Sequence, residues 1–282
     1  MAAGVTATVD IDFAGGPYRL EGLTAGQARV VRDHFGPLCA GGGGEPAVTA
    51  VVRPLDRDEH IPETTRGWEY RLDLAYQATR VSFAGWGIAA HVDVPVTRGA
   101  LATTAGESDR LPGVVENFLR VVAAYRMLAC GGALLHSAGI VDGGRAFVFF
   151  GESGAGKTTL STHSAQTGRE VLSDELNALW RDRDGGARVE KLPFAGDFGG
   201  PPGARAVYPA AAVFRLSQAP RTEIVSMSSA EALGAMVAAS PFVNGDPHRN
   251  ALLLDNLHAL AQATPVHHLR VALGESPWDI LT

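Results

Sequence analysis

The sequence predicts an α/β chain of α+β character: a β-rich N-terminal part over 1–110, then an α/β part over 111–282. Three observations carry this. Short apolar runs broken by Gly and Pro fill the first part. At Leu111 the pattern changes to apolar residues spaced by four and three. Finally, the run Ala146-Phe147-Val148-Phe149-Phe150 leads into Gly151-Glu152-Ser153-Gly154-Ala155-Gly156-Lys157-Thr158, a complete GxxxxGK[ST] octet between a strand and a helix.

Taken in order, the N-terminal strands are expected at Ala7–Phe13, Ala47–Val52, Trp68–Tyr76 and Arg80–Ile88, forming a mostly antiparallel sheet. The Gly41–Gly44 run reads as a turn. Val114, Phe118, Val121, Tyr125 and Leu128 form the buried stripe of a helix from Leu111. A strand near Ala133–Val141, the turn Asp142-Gly143-Gly144 and the strand entering the octet then read as a hairpin. The next helix runs from Lys157 to about Gln166 with Gly168 ending it, and Glu170–Ser173 is a short strand. Gly196–Gly203 reads as a loop able to cover a substrate. Ser229–Ala239, capped by Ser228 or Ser229 with Glu231 in its first turn, and Asn250–Gln262, with Leu253, Leu257 and Leu260 on one face, are closing helices.

Composition excludes several classes. With 46% hydrophobic and 19% charged residues over 282 positions, the chain can bury a sizeable core. A net charge of −6 provides no basic stripe for a phosphate backbone, so nucleic acid is not an expected partner. Two cysteines, Cys39 and Cys130, make no disulfide framework and are expected as buried free thiols. The N-terminus lacks a targeting pattern, and the apolar stretch at 121–135 is broken by Arg126 and two glycines, so no membrane span and a cytoplasmic location are expected. His248, His258 and the pair His267-His268 lack Cys or carboxylate partners at ligand spacing and read as surface residues.

The octet is read as a nucleotide site for ATP, or for ADP or GTP. Glycines let successive backbone N–H groups reach phosphate oxygens, so Gly151 to Gly156, with Glu152, Ser153 and Ala155 between them, form the cradle. Lys157 reaches the β- and γ-phosphates, Thr158 offers its hydroxyl to Mg²⁺, and Thr159 continues the first turn. The acidic pair Asp174-Glu175 follows 23 residues after Gly151, at the end of a strand that a crossover helix returns to the same sheet edge. One carboxylate, with Asp174 the metal candidate alongside Thr158, can hold Mg²⁺ directly or through water while another takes a proton from an attacking hydroxyl; which of the pair is the base stays open. His136, within Ala133-Leu134-Leu135-His136-Ser137, is either a core histidine or part of this site.

His136, the octet 15 residues later and the acidic pair 23 residues after that octet's first glycine together resemble the kinase core of the HPr serine kinase/phosphorylase family, grouped with phosphoenolpyruvate carboxykinases among phosphate-loop folds. That resemblance implies a histidine beside the site and paired carboxylates, one of them the base that activates an acceptor serine. The chain departs from the family at Glu175, where the family has a second Asp, and at Thr158-Thr159, where the family has Ser-Glu, and the chain has no counterpart of the glycine-rich phosphorylase signature. The stretches Lys191–Asp197 and Tyr208–Leu216 are similar to HPr-kinase-related proteins of bacterial peptide-modification, lasso-peptide and PqqD-type systems, whose members phosphorylate serine in a precursor peptide or as the free amino acid. The implied function is an ATP-dependent kinase with catalytic His136, Lys157, Asp174 and Glu175, acting on a hydroxyl-bearing peptide, protein or small molecule, with a homo-oligomer left open. The alternative is a phosphate-loop NTPase or nucleotide-gated interaction module, because Asp-Glu after a strand also resembles a pair whose Glu positions water.

Overall fold

The computed structural model describes residues 6–39, 44–55, 72–85, 87–194, 196 and 203–281. The Gly41–Gly43 turn, Trp68–Arg71 and most of the 196–203 loop lie outside them. Two compact units emerge, the first formed by Met1–Ala129 with Pro201–Ala204 and Asp246–His248, the second by Cys130–Gly200, Arg205–Gly245 and Arg249–Thr282.

Among the described residues the first unit is a seven-stranded sheet with two α-helices. Its strands are β1 (Ala7–Ile11), β2 (Tyr18–Leu23), β3 (Val48–Pro54), β4 (Asp73–Tyr76), β5 (Arg80–Gly85), β6 (Ile88–Asp93) and β7 (Arg98–Thr103), ordered β1-β2-β3-β7-β6-β5-β4. The sheet is antiparallel except where β3 pairs in parallel with β2 and β7. The expected single strand Arg80–Ile88 is two: the turn at Gly87, with φ 70°, folds β6 back on β5. Helix α1 (Ala25–Phe35) was not expected; Thr24 and Gln27 close a capping box and Ala28, Val31 and Phe35 are buried at helical spacing.

Helix α2 (Leu111–Ala129) buries the whole expected stripe from Val114 to Leu128. The division between units falls after Ala129, whereas the sequence reading drew it at 110, because α2 packs into the first unit. Phe118 stacks on Phe83 at 6.0 Å, Glu116 bonds the His34 ring at 2.6 Å, and Arg126 Nε donates to Gly15 O. Both cysteines are free, but only Cys39 is partly covered, which pushes its thiol up to about 11; Cys130 is exposed just past the end of α2, against the expected burial. No helix among the described residues is long and apolar enough to cross a membrane.

The second unit holds β8 (Ala133–Asp142), β9 (Arg145–Phe150), α3 (Lys157–Gln166), β10 (Glu170–Ser173), β11 (Leu176–Arg181), β12 (Ala187–Lys191), β13 (Val207–Gln218), β14 (Glu223–Ser226), α4 (Ser229–Ala238), α5 (Asn250–Ala263), β15 (Val266–Val271) and α6 (Trp278–Leu281). β8 and β9 form the expected hairpin, and β9 continues in parallel onto β13. β10 lies antiparallel to β8, so it runs in the direction of β9 with β8 between them. One edge of β8 changes neighbour along its length, pairing His136 with Leu176 of β11 and Gly139 with Ser173 of β10. Asp174 and Glu175 fall where that change occurs. Against the other end of the sheet, Phe147, Phe149, Leu160, Phe214 and Trp278 bury one face under α3 and α6, and Trp278 Nε1 donates to Ser164 Oγ at 2.9 Å.

Candidate functional site

The site grows from the end of β9. The loop leaves Phe150 pressed against β13: a Cβ on Gly151 would sit 2.6 Å from Leu216 O, so no larger residue fits without moving the strand. Gln218, the last residue of β13, donates Nε2 to Gly154 O at 2.9 Å and braces the loop from the same side. Gly156 is the N-cap of α3 with φ 103°, a conformation L-residues rarely adopt, and no side-chain cap bond is made there. The first N–H groups of α3 and the helix's positive end are therefore left for a ligand, and Gly156, Lys157, Thr158 and Thr159 all line one cleft.

Lys157 is buried, with Nζ donating to Gly151 O at 2.9 Å and Glu152 O at 3.4 Å. Burial lowers its pKa, and the nearby Asp174 carboxylate works in the opposite direction. Asp174 is itself buried, and Thr158 Oγ1 donates to its Oδ2 at 3.3 Å. A hydroxyl and a carboxylate oxygen that close are the hard-oxygen pair that a magnesium ion bridging to phosphates uses, so the residues present fit Mg²⁺. Among the described residues, no group of three or more His, Cys, Asp or Glu side chains could hold a metal by itself.

The acidic turn is rigid for local reasons. Ser173 Oγ accepts from the N–H groups of Glu175 at 3.1 Å and Leu176 at 3.2 Å, while Ser137 N–H donates to Glu175 O at 3.0 Å. Behind it, Asn177 Nδ2 donates to both Ser137 O (2.8 Å) and Ser137 Oγ (3.0 Å). β8 is thus tied to the turn, and its His136 opens onto the same cleft as Asp174 and Glu175. His136 is held at the other side by its N–H donating to Ala239 O at 2.7 Å. Desolvation lowers the His136 pKa, the Lys157 charge lowers it further, and Asp174 partly restores it. Its imidazole is neutral near pH 7, ready to accept or relay a hydrogen bond.

The cleft encloses about 630 Å³, and His136, Lys157, Thr158, Asp174, Glu175 and Gln218 all border it, with Ser153, Gly154, Gly156 and Thr159. Of the remaining octet residues, Gly151 and Glu152 line an adjoining groove and Ala155 an adjoining slot. His136, which the sequence left between core and site, faces the cleft. Of the other histidines, His248 and His258 are exposed, and His268 is half-buried with Nε2 2.8 Å from Ser217 Oγ. Sequence reasoning assigned no role to Gln218 or Arg215; Gly196, which the sequence placed at the start of a loop able to cover a substrate, borders the cleft. Nothing local marks Gln218; only the parallel pairing of β13 with β9 carries its end to the loop.

A family model described as SynChlorMet cassette protein ScmC matches residues 113–281, more than half of the chain. No curated protein sequence matches it. Among solved structures, the Hpr(Ser) kinase/phosphatase from Coxiella burnetii aligns over 52% of this chain and 91% of its own with 10% identity and a TM-score of 0.29, a likeness too slight to argue from.

Proposed function

We propose that this chain, which belongs to the SynChlorMet cassette protein ScmC family, is an ATP-dependent kinase that transfers a phosphoryl group to a serine-type hydroxyl. The single observation that carries this is the convergence of Lys157, Thr158, Asp174, Glu175 and His136 on one cleft at the uncapped start of α3. Composition, spacing and the resemblance to HPr-kinase cores support the same reading, and ATP supply suits a cytoplasmic protein.

In this reading the loop N–H groups bind the phosphate chain, and Lys157 exchanges its two carbonyl partners for phosphate oxygens. Thr158 and Asp174 would hold Mg²⁺, which supplies charge neutralisation on the transferring group. Asp174, buried and engaged with Thr158, is committed to that task. Glu175 is half-buried on the same turn and borders the cleft, and in this reading its carboxylate takes the acceptor's proton. Neutral His136 orients the acceptor hydroxyl or the carboxylate by hydrogen bonding.

The test measures phosphate transfer to acceptors beside phosphate release to water. Glu175→Gln is expected to slow transfer by about 10²- to 10⁴-fold, with Mg-ATP still bound through the loop. Asp174→Asn should weaken the magnesium dependence first. Brisk release to water that no acceptor diverts, and that Glu175→Gln abolishes, would reject the kinase and select an NTPase.

A further inference from the structure

Three cavities follow one another along the 151–158 loop. The cleft just described lies in the middle. At the helix end it shares Gly156, Thr159 and Gln218 with a slot of about 160 Å³ whose walls include Leu160, Leu216, Val271 and Pro277. Leu273, on the slot's rim, is 96% exposed, an apolar side chain left bare beside an apolar cavity. At the loop's other end the cleft shares His136 and Ser153 with a groove of about 570 Å³ between the end of β9, β13 and α4.

This order gives the nucleotide a direction. The slot has the size and walls for a nucleobase, so the base belongs at the helix end and the terminal phosphate points toward Gly151–Ser153. Displacement at that phosphate needs an acceptor oxygen on the side away from the leaving oxygen, and the cavity on that side is the groove.

Resting on the kinase reading above, we propose that the β13–α4 groove is the acceptor subsite and that it takes a hydroxyl compound carrying a carboxylate on a short chain, held by Arg215. Residues alternate across a strand, so Phe214 enters the apolar cluster under α3 while Arg215, paired in register with Phe150, faces the groove. The Arg215 side chain is 43% exposed and its ion pair with Glu152 is loose, 4.0 Å to a carboxylate that is 91% exposed. A substrate carboxylate can displace that pair and take two parallel N–H donors. The other acid in the groove, Glu231, does not compete, because it accepts from Ser228 N at 2.8 Å and Ser228 Oγ at 2.7 Å in the cap of α4. Gly234, Ala235 and Ala238 form the facing wall, which leaves room for a short side chain only. In the transfer the acceptor oxygen forms its bond to the terminal phosphorus, the bond from phosphorus to the nucleoside diphosphate breaks with its electron pair leaving on that diphosphate, and the hydroxyl proton passes to Glu175.

The experiment follows labelled phosphate from Mg-ATP to L-serine, to L-serinamide, and to short seryl peptides with free or amidated C-termini, with Mg-ATP affinity measured separately by calorimetry. Acceptors with the carboxylate are expected to exceed their amides by at least about tenfold in kcat/KM, and Arg215→Met to erase that ratio by a loss confined mainly to the carboxylate acceptors. Preference for serine over the peptides would identify a free hydroxy acid, and the reverse a peptide terminus. A side chain built on Gly234 meets open space, so Gly234→Leu keeps the helix, and better, while filling the groove; it should cut kcat/KM for every acceptor by more than about tenfold at constant Mg-ATP affinity. An unchanged carboxylate-to-amide ratio in Arg215→Met, or unchanged kinetics in Gly234→Leu, overturns the assignment. Wild-type protein that binds Mg-ATP but phosphorylates no carboxylate acceptor overturns it alone, whereas failure to bind Mg-ATP overturns the kinase reading as well.

Discussion

Replacing Lys157 by Met separates the catalytic role proposed for the lysine's charge from its structural contacts. Met keeps most of the buried stem and removes the ammonium, with its bonds to Gly151 O at 2.9 Å and Glu152 O at 3.4 Å. Well-formed hydrogen bonds to a charged group contribute about 1.5–3 kcal/mol, the second is too long to reach that, and the cost of burying the ammonium opposes both. That opposition is visible in the lowered Lys157 pKa. The net effect on folding should lie within about 1 kcal/mol, which for a chain of this size moves Tm by less than about 4 °C. The transition state is another matter: one preorganised donor on developing charge is worth about 2.7–4 kcal/mol, or 10²- to 10³-fold in kcat. Scanning fluorimetry and labelled phosphate transfer on the same preparation measure both quantities. Turnover within threefold of the parent, or a fall in Tm above about 10 °C, would refute the assignment of this lysine to phosphates and not to the core.

Three further outcomes follow from the geometry. Gly156→Ala forces an L-residue to φ 103°, so it should cost about 1–2 kcal/mol in thermal denaturation and weaken Mg-ATP binding by more than about tenfold, as the loop shifts to relieve the strain. His136 should titrate below 6.5 by NMR; Lys157→Met should raise its pKa by removing a positive neighbour, and Asp174→Asn should lower it by removing a negative one. Because the folded pKa is depressed, the unfolded chain binds this proton first, so the contribution of His136 to stability is present above pH 6.5 and is lost as pH falls from there through the folded pKa, a trend that denaturant midpoints across that range would show or contradict. Trp278→Ala should cost about 3–5 kcal/mol by urea unfolding, since it empties a buried site between Phe147 and Phe149 and leaves Ser164 Oγ without its indole donor.

Legibility followed sequence distance. The octet, the β8–β9 hairpin, α2 and the capped start of α4 depend on neighbours within a few residues: glycines that take unusual backbone angles, a turn between apolar runs, and side chains that satisfy the first N–H groups of a helix. The capping box Thr24–Gln27 announces α1 in the same way, but the apolar face behind it is only Ala28, Val31 and Phe35, too sparse to stand out. Nothing in the spacing of the N-terminal strands says that β3 lies parallel between β2 and β7, because that placement is decided by which distant edges close the core.

The site divides along the same line. By itself the sequence determined where the glycine-rich octet lies between a strand and a helix and that an acidic pair follows one crossover helix later, since the loop's conformation resides in its own backbone. Only the tertiary structure decided that His136 opens onto the cleft, that Thr158 meets Asp174 at 3.3 Å, and that β13 delivers Gln218 to the loop and Arg215 to the groove. Those placements depend on β8 exchanging β11 for β10 beside the acidic turn and on β13 adding in parallel to β9. Such pairings are stabilised by burial of a shared core between segments far apart in the chain, and a pattern of neighbouring residues carries no record of them.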